Sequence, residues 1–102
     1  MNLSRKKSSS VDENEILFPL LECWNPMTNV ATIAAQVGGR RVLCRISHDV
    51  LKKKFRASPT EPMRAIVKNR KAIQSAARAL IEKKAFEADG NIVIRQKDLQ
   101  AV

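Results

Sequence analysis

"TNVATIAAQVGGRRVLCRIS", residues 28–47, is the stretch whose reading decides the fold. Gly38-Gly39 separates two runs in which apolar and polar residues alternate. A two-residue hairpin turn needs positive φ at both central positions, and glycine adopts it without steric cost. Placing the turn there fixes the register: Val37 falls opposite Arg40, Ala35 opposite Val42, Ile33 opposite Cys44, and Ala31 opposite Ile46. One face then collects Ala31, Ile33, Ala35, Val42, Cys44 and Ile46. The other collects Thr32, Gln36, Arg41 and Arg45, with Ala34 and Leu43. An apolar face backed by a largely polar one is the pattern of an antiparallel sheet covered on one side.

Downstream the alternation stops at Ser47, a residue suited to cap a helix, and Asp49 suits the positive end of the helix dipole. "HDVLKKKF" reads as a short helix with Val50, Leu51 and Phe55 on its buried side. "RASPTEPM" is a loop in which Ser58 or Thr60 is expected to cap the next helix, with prolines in its first turn. Residues 61–86 are rich in good helix formers and predict one long amphipathic helix. At 100° per residue Ile66, Ile73, Ala77 and Leu80 form a stripe with Ala76 and Ile81 at its margins, opposite Arg64, Lys68, Lys71 and Arg78. Gly90 in "EADGN" ends that helix, "IVIR" is a short strand, and "QKDLQAV" is a tail with room for one helical turn. The fold class that follows is α+β. A small antiparallel sheet, a β-hairpin plus a returning C-terminal strand, packs on one long amphipathic helix preceded by a short one.

Upstream, residues 1–14 are polar and charged and are expected to be a disordered tail. Residues 15–27 form an apolar arm in which Pro19 and Pro26 break helices and confine any strand to a sheet edge. Phe18, Leu21 and Trp24 are expected either to lie over the core or to face a protein partner or a second copy of the chain. The single domain is placed at residues 28–99, with 100–102 as a tail. A core this small gains from a partner.

The chain has 19 Lys and Arg against 10 Asp and Glu, and the imbalance is uneven. Residues 28–102 hold sixteen of the cations and six of the acids. Such a balance favours polyanions through steering and counterion release. The longest apolar run, "ILFPLL", is far short of the roughly 20 residues of a bilayer span, and acidic "DENE" precedes it where a secretory signal would be basic. Two cysteines, Cys23 and Cys44, are expected to stay reduced in the cytoplasm.

The order of features also resembles a known family. "VLCRIS" closes the hairpin, "HDVL" opens a helix, "NR" sits within the long helix, and "FEADGNIVI" and a closing "DL" follow. This is similar to the DUF1488 family of small uncharacterised bacterial proteins over residues 28–99. The resemblance implies a small α+β domain and brings no activity, cofactor or catalytic residue. The chain is more basic than such a fold requires.

Three constellations are candidates for chemistry. Cys44 and His48 are the right pair for a thiol–imidazole dyad, but the alternation turns Cys44 into the core while His48 begins a helix at the end of the strand. Cys23, Cys44, His48 and Asp49 lack the paired ligand spacing of zinc sites, so no metal is expected. Glu82 and Glu87 lie at the solvated end of the long helix beside Lys83 and Lys84. Gly38-Gly39 leads into a strand, so it is no phosphate-cradling loop. The expectation is a non-enzymatic protein without a cofactor.

The basic residues remain as the candidate nucleic-acid surface: Arg40, Arg41 and Arg45 from the hairpin, Lys52, Lys53, Lys54 and Arg56 from the short helix, and Arg64, Lys68, Lys71 and Arg78 from the long one. With three Phe, one Trp and no Tyr, base stacking is an unpromising mode. The expected contact is with the phosphate backbone and of low specificity. The alternative is a protein-interaction module or homodimer working through the arm, with no nucleic-acid role.

Overall fold

The structure, a computed structural model, describes residues 15–99; the expected terminal tails, 1–14 and 100–102, lie outside the described residues. The hairpin is β3 (Val30–Val37) and β4 (Arg40–Ser47), and every pairing follows the expected register, from Val37 with Arg40 to Ala31 with Ile46. Gly38 and Gly39 both take positive φ, 54° and 84°. Ala31, Ile33, Ala35, Val42, Cys44 and Ile46 are all buried.

The arm belongs to the sheet. β1 (Ile16–Leu17) and β2 (Glu22–Asn25) both pair antiparallel with β3, along its edge away from β4. Leu17 pairs with Gln36 and Glu22 with Ile33, so residues 18–21 oppose only residues 34–35. The two extra residues bulge at Pro19, whose carbonyl accepts from the Leu21 N–H at 2.8 Å, and Leu21 rejoins the sheet by accepting from the Ala34 N–H at 3.1 Å. An even insertion preserves the alternation of faces. Ile16, Glu22 and Trp24 therefore face the core side, while Leu17, Leu21 and Cys23 face away.

Ser47 caps α1 (His48–Phe55), its Oγ accepting from the Val50 N–H at 3.2 Å. Leu51 is fully buried, with Val50 and Phe55 half-buried against the core. Neither Ser58 nor Thr60 caps the next helix, contrary to expectation. Their hydroxyls bond each other at 3.1 Å, and Glu61 is the N-cap because Pro62 occupies the first helical position.

The long amphipathic segment runs as α2 (Pro62–Lys68) and α3 (Arg70–Glu82), joined at Asn69. Asn69 departs from helical dihedrals at φ −114°, ψ 28°, and its Nδ2 donates to the Ala65 carbonyl at 2.9 Å. A side chain that bonds the carbonyl four residues back competes with the helical ladder and bends it. The apolar stripe survives the bend, since Ile66, Ile73, Ala76, Ala77, Leu80 and Ile81 are buried. The C-terminus of α3 closes by Lys84 N–H to Ile81 and Ala85 N–H to Leu80, with Lys84 at φ 59°.

β5 (Ile92–Ile94) pairs with β4, Cys44 opposite Ile92, and the two strands run parallel. The sheet is thus mixed where an all-antiparallel one was expected. The three helices between β4 and β5 carry the chain back across one face, and a strand entered after such a crossover points the same way as the strand before it. A 3-10 turn over Gln96–Leu99 then buries Leu99. All helices cover one face of the sheet. Among the described residues, no helix is long and apolar enough to cross a membrane.

Candidate functional site

Cys44 is fully buried, its Sγ 3.8 Å from the Val42 carbonyl, and burial pushes its thiol up to about 12. A thiol held protonated at neutral pH is a poor nucleophile. His48 is engaged elsewhere: its Nε2 lies 3.3 Å from the Ser58 carbonyl, and the Trp24 ring meets it edge-on at 5.4 Å between centroids. Cys23 is exposed on β2. Among the described residues, no group of three His, Cys, Asp or Glu side chains could hold a metal ion.

The eleven basic candidates fall into three places. The helical side carries Lys52, Lys53, Lys54 and Arg56 on and just after α1, Arg64 and Lys68 on α2, and Lys71 on α3. Arg56 ends α1 in the left-handed conformation, φ 56°, its N–H bonded to the Lys52 carbonyl. This αL turn carries the chain from α1 toward α2. Arg56, Arg64 and Lys68 consequently line one shallow cleft of about 170 Å³, together with Phe55, Glu61 and Asn69. Residues 48–81 hold nine Lys and Arg and two acids, Asp49 and Glu61. Each acid pairs within its own helical turn, Asp49 with Lys53 at 3.2 Å and Glu61 with Arg64 at 3.0 Å. Among the described residues, no acid pairs with Lys52, Lys54, Arg56, Lys68 or Lys71.

A second group sits near the β1 end of the helical layer. Arg40 lies 5.5 Å over the Phe86 ring, and Arg78 lies 5.7 Å over Phe18 while donating to the Ile16 carbonyl. Both cations are tied to apolar neighbours. The third group, Arg41 and Arg45, emerges from the sheet face that no helix covers. Arg45 bonds Asp89 at 2.6 Å, which holds that carboxylate down to about 2. Arg41 and Arg45 therefore do not share a surface with the helical cations; alternation along β4 puts the sheet between these two arginines and the helices.

Two features had no local signal in the sequence. Arg70 clasps Glu22 with two hydrogen bonds of 2.8 and 3.0 Å, joining α3 to the arm across 48 residues. The carboxylate raises the Arg70 pKa. A cleft of about 470 Å³ lies between the end of α3 and the final turn, floored by Ala76, Ala79, Leu80 and Ala85 and rimmed by Lys83, Arg95, Lys97 and Asp98. Of its cations Arg95 reaches Glu87 at 3.6 Å, and the Arg95 backbone N–H donates to the Asp98 carboxylate at 2.8 Å. Of the arm residues considered for partner contact, Phe18 and Trp24 turn toward the core and Leu21 turns out.

Comparison with known families finds a match to the one described as "Protein of unknown function (DUF1488)" over residues 16–94. The match takes in β1 and β2, which the sequence resemblance had left outside. A comparison with curated proteins found no match. Among solved structures, the chain is similar to the crystal structure of a protein of unknown function from the DUF1488 family of Shewanella loihica PV-4. The two are 23% identical with a TM-score of 0.72, over 84% of this chain and 98% of that one. At that identity the likeness shows the fold.

Proposed function

The chain belongs to the DUF1488 family, and from that premise, which carries no activity, we propose that it is a non-enzymatic accessory protein contacting the phosphate backbone of nucleic acid through the α1–α2–α3 side. The observation that supports this reading is the charge along residues 48–81. Both acids there are spent on neighbours within a turn, and five cations on that side have no acidic partner among the described residues. Three basic side chains line one cleft in which Glu61 is the acid. A side that serves only to keep the protein soluble works best with both signs interspersed. Extended phosphate chains instead reward a run of one sign. Phe55 is the one aromatic ring lining that cleft, and it is packed against the core. A single half-buried ring is no stacking platform for successive bases, so recognition rests on charge and depends little on sequence.

The test is binding of fluorescent duplex DNA and single-stranded RNA across a salt series. Engagement of about four phosphates predicts a log–log slope near −3.6 and about a 150-fold loss of affinity between 50 and 200 mM salt. Reversing Lys68 and Lys71 to Glu lowers affinity and flattens the slope by about two units, with the circular dichroism spectrum unchanged. Reversing Arg41, on the opposite side of the sheet, leaves affinity within a small factor. Negligible binding of both nucleic acids at low salt, or an equal loss from Arg41→Glu, refutes the proposal.

A further inference from the structure

Helices cover one face of the sheet, and among the described residues no helix covers the other. That open face is apolar toward its β1–β2 side. Leu17 is 53% exposed and Leu21 is 47% exposed, although both lie on strands or directly beside them. Their partners on β3, Gln36 and Ala34, are two residues apart, which sets the two leucines about 7 Å from each other on one face. Leu43 continues the row beyond Ala34, with which it pairs. Ala34 is only 4% exposed while lying outside the helix-covered core, so side chains on the open face already cluster over it. Leu20, in the bulge beside this row, is 74% exposed.

Charge narrows the choice of occupant. Residues 15–39 contain no Lys or Arg, in a chain with a formal net charge of +9. Two copies of so basic a protein repel wherever their cations meet. They approach at least cost through the surface built from this stretch. On the same face Arg45 is already neutralised by Asp89, whereas Arg41, paired with Gln36 in line with Leu17, is a cation that the second copy must clear. Direct edge-to-edge strand pairing is blocked, because β2 has four residues and Pro19 and Pro26 flank it. The exposed parts of Leu17 and Leu21, with Leu20 beside them, supply the apolar centre of a contact surface, and a specific pair needs about 1,000 Å² in total around such a centre. We infer that the open sheet face docks a second copy of this chain, face to face about a twofold axis, around Leu17, Leu21 and Leu43.

This inference stands independently of the nucleic-acid reading, whose residues lie on the helical side. Sedimentation equilibrium of the full chain at low to moderate salt, up to about 100 μM, tests it. The expected result is a reversible dimer of twice the 11.4 kDa chain mass, with Kd on the order of micromolar for so small an interface. Leu17→Asp with Leu21→Asp raises Kd at least 100-fold while far-UV dichroism and thermal midpoint stay close to the parent. Leu20→Asp, wholly in the bulge, serves as a milder variant should the pair disturb folding. Lys68→Glu with Lys71→Glu leaves dimerisation unchanged. A chain that stays monomeric throughout overturns the inference. So does a dimer unaffected by the leucine substitutions.

Discussion

Ile73 is fully buried on α3, in one cluster with Ile46, Leu51, Ile66 and Ile92, so it measures how firmly the helical layer is held to the sheet. Replacing it by valine removes one buried methylene-sized group, worth about 1 kcal/mol, and replacing it by alanine removes three carbons and leaves a cavity, worth about 3.5 kcal/mol. A domain of this length has a total stability of about 4–13 kcal/mol, so the alanine variant is near the edge of folding and the valine variant carries the quantitative test. With a urea slope of about 1 kcal/mol per molar, Ile73→Val lowers the unfolding midpoint by about 1 M. Val67, 53% exposed on α2, is the control, and Val67→Ala shifts the midpoint by no more than about 0.5 M. Trp24 is the sole tryptophan and packs from β2 against the core and the His48 ring. Its fluorescence therefore follows the arm, while far-UV dichroism follows mainly the helices. Coincident transitions show that arm and helices unfold together. If Ile73→Val costs no more than Val67→Ala, the docking of α3 on the hairpin as described here is wrong.

Two further outcomes are expected. Arg56 holds a left-handed conformation at φ 56°, which glycine adopts freely, so Arg56→Gly raises stability by about 0.5 kcal/mol and the thermal midpoint by a few degrees. The same substitution weakens nucleic-acid binding, and an unchanged affinity counts against Arg56 as a phosphate contact. Asp89, lowered by Arg45 from 3.8 to about 2, stabilises the folded state when ionised. Its contribution is complete above pH ~4 and is lost as pH falls toward 2, because the unfolded carboxylate takes up its proton first. Urea midpoints between pH 2 and 6 should fall more steeply for the parent than for Asp89→Asn, and parallel curves would remove the Arg45–Asp89 pair from the account.

The sequence by itself determined what short-range chemistry controls. Gly38-Gly39 sets a turn whose backbone only glycine accepts readily, and from it the β3–β4 register and the buried set Ala31 to Ile46 follow by alternation. Ser47 caps α1 because its hydroxyl reaches an N–H three residues on, and the Ile66–Leu80 stripe is buried because helical periodicity puts it on one side. The tertiary structure alone decided what depends on segments distant in the chain. The direction of β5 is set by the path of three helices, and "IVIR" reads the same parallel or antiparallel. The arm's place on β3 depends on a two-residue bulge at Pro19 and on the Arg70–Glu22 clasp, neither of which has a local signature. The basic residues were legible one by one, but their grouping was not. Strand alternation sent Arg41 and Arg45 to one side of the sheet, while the αL turn at Arg56 gathered Arg56, Arg64 and Lys68 on the other. Spacing along a chain fixes which face of an element a side chain takes, and only packing fixes which faces meet.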